Sequence, residues 1–408
     1  MDKAIYTVRE LAREYLELSN LDINRERLAL HRKVNDLEME RPVVLLDELP
    51  WNQLNVDDQL TNVCTDPVLK DVETMLRRKI FQFKYFPGDM VLTPYVPVQK
   101  VIIRKNQLSI EEETLAHDGE NNIIAHEYID QLKTEEDLDK ILLPVISYDE
   151  KTTMARYQRV GDVLGDILPV KLKGQDHYAV STWDDISMYR GVTPLLMDLI
   201  DRPEFTHKMV RKLTDGYISA LEQYEALGLF DNDPQSLHCT PIANSTLKPG
   251  SEDKITRKNV WGRGVAQILA SASKAMRDEF DIMYMKETVG QCGLVYYGCC
   301  EPLDTMVDIV EKIPNIRKIG VTPWANPQVA AEAIGSKYVF SSKPNPASVA
   351  VDHLNEDNLR KELTTILAPC KANKCNVDIT LKDISSANYN LDNIIRWEQI
   401  AMEMAKDF

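Results

Sequence analysis

Two adjacent thiols and a carboxylate, Cys299, Cys300 and Glu301, follow the apolar run Leu294-Val295-Tyr296-Tyr297 and a single glycine, Gly298. The apolar run reads as a buried strand, and the glycine releases it into the polar cluster. The two thiols are soft ligands and the carboxylate adds a charge, groups that suit a metal ion. In parallel α/β sheets ligands bind beyond the carboxyl ends of the strands, where the loops converge. Cys299, Cys300 and Glu301 are therefore the candidate metal ligands, and Tyr297 is a candidate catalytic side chain beside them. A structural reading stands next to this one: free cysteines are small buried hydrophobes, and Glu301-Pro302 suits the first turn of a helix.

Other strand ends repeat the pattern. Pro42 to Leu46 is a short apolar run that ends in Glu48, Trp51 and Asn52. Glu48 there is a candidate proton acceptor, and Trp51 and Asn52 are candidate substrate contacts; the alternative is a solvated Glu48 and an Asn52 that caps a helix. The run 178–182 leads into Trp183, Asp184 and Tyr189, an aromatic wall with a proton acceptor or, alternatively, core packing with a cap. Trp324, Lys343, Asn345, Lys382 and Asp383 close three later strands. Trp324 and Asn345 are candidate substrate contacts, Lys343 and Asp383 candidate catalytic groups. His238-Cys239 is a tempting metal pair, but neighbours in an extended segment point to opposite faces and share one ion only on an irregular loop.

The elements that must position these groups alternate regularly. After the strand ending at Cys299 come a helix over 303–312, a strand over 316–321, a helix over 327–334, a strand over 337–340, a helix over 355–367, a strand over 376–381 and a helix over 391–406. Such strand-then-helix units argue for a parallel sheet, and with the earlier strands the expected fold is an α/β (β/α)8 TIM barrel. Residues 1–40 form a helical extension, with patterns over 6–18 and 24–37. Residues 41–408 form the catalytic barrel, with an insertion of hairpins around 88–135. The leading helix pair is expected to cover an end of the barrel or a subunit partner, a homodimer being one such arrangement.

Composition narrows the function classes. Of 408 residues, 48 are basic and 64 acidic, a formal charge of −16 that repels phosphate backbones, so nucleic acid is not an expected partner. No apolar run reaches the roughly eighteen residues of a membrane span, and the N-terminus is amphipathic rather than a signal peptide. The expected location is the cytoplasm. The seven cysteines are an odd number without a regular framework, and reduced thiols fit that setting.

The stretch from about Trp261 to Phe408 resembles the uroporphyrinogen decarboxylase-like superfamily, whose barrel serves heme-pathway decarboxylases and zinc-dependent methyltransferases that exchange methyl groups with corrinoid proteins. It is most similar to the ether-cleaving O-demethylase branch, through YYGCCEPLD (296–304), IPNIRKIGVTPWA (313–325) and SSKPNPA (341–347); before it, only PVVLLDELPW (42–51) is similar. The resemblance implies a zinc-dependent methyltransferase that moves a methyl group from a small donor, such as a methoxylated aromatic, to a corrinoid (cobalamin) on a partner protein. Two departures stand out. The His-x-Cys zinc pair of thiol methyltransferases aligns with Tyr297-Gly298-Cys299, so the histidine is replaced, and Lys382-Asp383 stand where a second cysteine would fall. The arginine-rich loop of the decarboxylases is here LDELPWNQL, without arginine, a poor host for a tetra-acidic porphyrinogen. A metal-free decarboxylase of a smaller acid and a non-catalytic tetrapyrrole- or corrinoid-binding protein are the alternatives.

Overall fold

The computed structural model describes residues 3–119, 123–233, 236–248 and 254–408. Seven parallel strands form its main sheet: β1 (Val43–Leu46), β2 (His177–Val180), β3 (Trp261–Gly264), β4 (Leu294–Tyr297), β5 (Ile316–Val321), β6 (Val339–Ser342) and β7 (Asn376–Leu381). Their spatial order is β1-β7-β6-β5-β4-β3-β2, so the first strand pairs with the last and the others follow in chain order. All carboxyl ends point the same way, and the loops that follow meet at one edge.

The sheet is largely buried, with Ala179 of β2 its exposed residue. Every residue of β4, β6 and β7 is buried; β4 is a continuous apolar run, β6 ends in Ser341-Ser342, and β7 alternates Asn376, Asp378 and Thr380 with Val377, Ile379 and Leu381. Pro327–Ile334, Glu356–Ala372 and Leu391–Lys406 cover the sheet, close to the helices expected. Leu363, Ile394, Trp397 and Ile400 lie fully buried in the same cluster as Val377 and Ile379. Lys3–Ser19 packs Val8, Ala12 and Tyr15 against Leu69, Leu76 and Ile80 of Pro67–Tyr85. Among the described residues, no helix is long and apolar enough to cross a membrane.

Three elements depart from the sequence expectation. Trp261–Gly264 is a strand in the sheet although two of its four residues are glycines, which ordinarily weaken strands. A Cβ at Gly264 would lie 2.9 Å from Tyr297 Cδ2 and 3.1 Å from Met285 Sδ, so this close packing requires glycine. The helix expected over 303–312 shrinks to Val307–Val310, because Leu303 to Met306 form a tight turn with Met306 N bonded to Leu303 O at 2.9 Å. The extended run expected over 178–182 ends at Val180, and Thr182–Arg190 is a helix, which places Trp183 and Asp184 in its first turn. Within the stretch expected as an insertion, Val96–Gln99 pairs with Val170–Lys173 and Ile102–Lys105 with Val145–Tyr148, while Glu112–Asp118 and Ile123–Tyr128 make a hairpin.

One face of the sheet carries a buried ionic core. Asp378 of β7 is fully buried and lies 2.8 Å from Lys318 Nζ of β5 and 3.8 Å from Lys343 Nζ just beyond β6. Burial lowers the Lys318 ammonium to about 8, while the two lysines outweigh burial at Asp378 and hold its carboxyl below the usual range. Removing one partner of a buried pair leaves an uncompensated charge. Lys318→Met is therefore expected to destabilise the protein by about 3–5 kcal/mol in urea unfolding.

Candidate active site at the carboxyl ends of the strands

Gly298 ends β4 with φ +111°, and a Cβ there would lie 2.7 Å from Leu303 Cδ1, so the sharp exit from the strand depends on glycine. The turn presents Cys299 and Cys300 with their sulfurs 3.6 Å apart. Lys382 Nζ, just beyond β7, donates to both sulfurs at 3.5 Å and to Asp383 Oδ2 at 2.6 Å. The hydrogen bond from Cys300 holds the Cys299 thiol well below its usual range, with His238, Lys382 and Arg263 adding to the effect, which favours the thiolate at Cys299. The same pairing, with burial, pushes Cys300 up.

Glu301 occupies a different place from the one the sequence suggested. It is fully buried, and its Oε2 accepts from Cys299 N at 2.9 Å while Oε1 accepts from Ala266 N at 3.0 Å. Arg277 Nη2 lies 3.7 Å from Oε1. With both oxygens engaged inward, Glu301 shapes the cysteine turn instead of facing a metal.

His238 and Cys239 join the cysteines from another part of the chain. Ser236–Leu237 and Thr240–Pro241 form a tiny antiparallel ladder, and His238-Cys239 is its two-residue turn. Both have positive φ, 24° and 63°, where such turns ordinarily place Asn-Gly. The tight turn removes the objection that extended neighbours diverge. His238 Nε2 lies 3.3 Å from Cys299 Sγ, and its Nδ1 lies 3.4 Å from Glu48 Oε1. Ligand atoms of Glu48, His238 and Cys239 all lie within 4.8 Å of one another, the metal-competent group found among the described residues. The turn is held from beneath: Lys343 Nζ donates to Cys239 O at 2.5 Å, and Lys318 Nζ to Thr240 Oγ1 at 2.9 Å and Pro241 O at 2.6 Å.

Glu48 and Asp383 complete the ring. Asp383 N donates to Glu48 Oε2 at 3.2 Å. Burial and then the neighbouring Asp383 raise the Glu48 carboxyl, while at Asp383 the pairing with Glu48 and Lys382 outweighs burial and lowers it. Glu48 and Asp383 also have positive φ, 49° and 55°. Four non-glycine residues in the left-handed region thus converge on one spot, and such strain persists only where surrounding contacts over-determine it.

The remaining candidates, Asp184 apart, are dispersed. Trp183 is fully buried with Nε1 donating to Phe280 O at 3.2 Å, and Tyr189 packs in the same cluster, so neither lines the site. Tyr297 points away from the sulfurs into a buried group, its hydroxyl donating to Asp281 and accepting from Arg277 Nη2 at 3.5 Å. Lys343 is buried beneath the His238-Cys239 turn and does not reach the surface. Asn345 caps the turn that follows it through Ala347 N at 3.0 Å. Trp51 packs on Phe81 under the Arg78 guanidinium, and Asn52 is exposed beside it. Trp324 is 73% exposed beyond β5. Asp184 accepts from Gln267 Nε2 at 3.1 Å and keeps Oδ1 buried without a partner; burial, chiefly, raises it to about 6, and the Cys299 and Glu301 charges add to the shift. Sequence reasoning named His238-Cys239 but set the pair aside as neighbours in an extended segment, and it placed Lys382 at a strand end without linking it to the cysteines; the contacts of all three with Cys299, Cys300 and Glu48 come from the tertiary structure.

No protein-family model matches the chain, and no curated protein matches it in sequence. Among solved structures, a methyltransferase from Methanosarcina mazei overlays with a TM-score of 0.49 at 11% identity, covering 93% of this chain and 98% of that one. An overlay this loose carries no argument about the site, which stands on its own geometry.

The layer beneath the cysteines makes stability depend on pH. Burial raises Asp281 to about 7, against 3.8 for a free carboxyl, despite Tyr297 and Arg277. Between these values the folded chain keeps a proton that the unfolded chain has released, so stability falls as pH rises through that window. Denaturant midpoints measured from pH 4 to 8 are expected to show this decline, and Asp281→Asn is expected to flatten it.

Proposed function

We propose that this chain is a zinc-dependent methyltransferase of the uroporphyrinogen decarboxylase-like superfamily. On this reading it moves a methyl group from a small methylated donor, such as a methoxylated aromatic, to the cobalt of a corrinoid on a separate protein. The pairing of β1 with β7 and the chain-order succession of strands are those of a closing (β/α)8 barrel and support that fold. The observation that carries the function is the meeting of His238, Cys239 and Glu48 beside the Cys299 thiolate at the carboxyl ends of the strands.

The donor set fits zinc. Bonds of about 2.0–2.3 Å to nitrogen, oxygen and sulfur place tetrahedral ligands roughly 3.3–3.8 Å apart, and His238 Nδ1 lies 3.4 Å from Glu48 Oε1. Cys299 and Cys300, the pair the sequence favoured, have the Lys382 ammonium 3.5 Å from both sulfurs, which disfavours a second cation there. We therefore assign the metal to the Nδ1 side of His238, with Nε2 left to orient the ring against the Cys299 thiolate. Bound there, zinc would supply Lewis-acid polarisation of the donor's leaving oxygen or nitrogen.

The chain's own groups supply the rest. Lys382 holds the Cys299 thiolate and Asp383 in place, and Lys343 pins the strained turn that carries His238 and Cys239. Asp184, raised to about 6, is the proton donor to the departing group. The exposed Trp324 and Tyr389, beyond β5 and β7, offer aromatic contacts for the corrinoid protein.

Elemental analysis of protein purified without chelator is expected to find about one zinc per chain, lost in His238→Ala and Cys239→Ala. Absence of zinc from the wild type, or zinc retained in both variants, would overturn the assignment. In a methyl-transfer assay to free cob(I)alamin, kcat/KM is expected to fall as pH rises through about 6. Asp184→Asn is expected to lower the rate roughly 10²–10⁴-fold and to remove that limb.

A further inference from the structure

Arg263 lies in β3, in register with Ala179 of β2 and Tyr296 of β4. Side chains alternate along a strand, so Arg263 shares a face with Trp261. The Trp261 indole packs with Leu237, Ile242 and Tyr296, and Lys318 Nζ lies 6.0 Å from its ring. This is the face that carries the ionic core and the His238-Cys239 turn. Arg263 stands one pleat nearer the carboxyl end, and its charge is among those that lower the Cys299 thiol.

The guanidinium has no hydrogen-bond or ion-pair partner among the described residues, and its Nε is buried and unsatisfied. Arg277 and Arg211 also keep guanidinium nitrogens buried and unsatisfied, but each still has an ion-pair partner, Glu301 for Arg277 and Asp215 and Glu287 for Arg211. Arg41 makes a two-pronged contact with Asp89, Arg190 reaches both Asp130 and Asp198, and Arg257 engages Glu225. In a chain with 64 acidic residues, pairing groups are plentiful. A partly desolvated cation without a counter-charge is costly, and a polar group left unpaired at a strand's carboxyl end points to a ligand that completes it.

We propose that Arg263 anchors a carboxylate on the small molecule that enters beside Cys299. The planar fork of N–H donors matches the two oxygens of a carboxylate. The anchor itself needs no metal; combined with the methyl-transfer reading, on which this extension rests, it makes the methyl donor an organic acid rather than a neutral ether.

Calorimetric titration of the full chain with benzoate and with its neutral counterpart benzamide tests the anchor directly. Benzoate is expected to bind at least tenfold more tightly. Arg263→Met is expected to abolish that preference and Arg263→Lys to keep part of it, with circular dichroism confirming that both variants fold. Equal binding of the two probes, or no binding of benzoate by the wild type, overturns the proposal. A preference that survives Arg263→Met but disappears in His238→Ala also overturns it, because the carboxylate would then sit on the metal. Benzoate selectivity that persists in His238→Ala supports the anchor whatever happens to the zinc assignment. As an independent readout, the ratio of iodoacetate to iodoacetamide alkylation at Cys299, followed by peptide mass mapping, is expected to drop severalfold in Arg263→Met; an unchanged ratio counts against the anchor.

Discussion

The carboxyl edge of the sheet depends on Asp378, a fully buried carboxylate in the middle of β7. It attracts Lys318 from β5 and Lys343 from beyond β6, and both ammonium groups extend their remaining donors to Thr240, Pro241 and Cys239 O. A carboxylate with one lysine would only neutralise itself. With two, the surplus donors become anchors, and they are spent on a two-residue turn whose backbone is otherwise unfavourable. The charge buried in the sheet and the strain in the turn are thus coupled, since the desolvated lysines need oxygen acceptors and the turn needs restraint.

Above and beside this core the site sorts its ionisable groups by environment. Asp184 and Asp281 lie where burial dominates, and their carboxyls are raised to about 6 and 7. Asp383, paired with Glu48 and Lys382, and Cys299, bonded from Cys300 with His238 and Lys382 beside it, are both shifted toward the charged form. At one edge of the sheet the chain therefore brings together carboxyls raised by burial and groups held toward their charged forms. Glu301 separates the two layers, with its oxygens on the backbone of Cys299 and Ala266 and Arg277 behind it. That arrangement fixes the direction of the thiols without exposing the carboxylate.

Much of the framework was legible in the residues. The alternation after residue 294 located β5 and β7 and the helices Pro327–Ile334 and Leu391–Lys406 to the residue, because buried strands and amphipathic helices write their periods directly into the apolar pattern. Trp261–Gly264 was not legible as a strand, since its glycines serve a contact with Tyr297 and Met285 that no local pattern encodes. Cys299, Cys300, Glu48 and Asp383 could be named because each follows a recognisable strand. Trp183 and Tyr189 looked alike in sequence but belong to the core, where an aromatic beside a polar residue is ordinary packing.

By itself the sequence determined the parallel α/β plan, the strand ends that carry polar groups, and the acidic balance that sets nucleic acid aside, because all three follow from local composition and period. Only the tertiary structure decided which groups meet. His238 is 61 residues from Cys299 and Lys382 is 83, and the contacts between them exist because separate strands of one sheet deliver their loops to the same edge. The direction of Glu301 was likewise set by distant partners, Ala266 and Arg277. The isolation of Arg263 among the described residues is the clearest case, for an unpaired charge is defined by the absence of neighbours in space, which sequence order does not record.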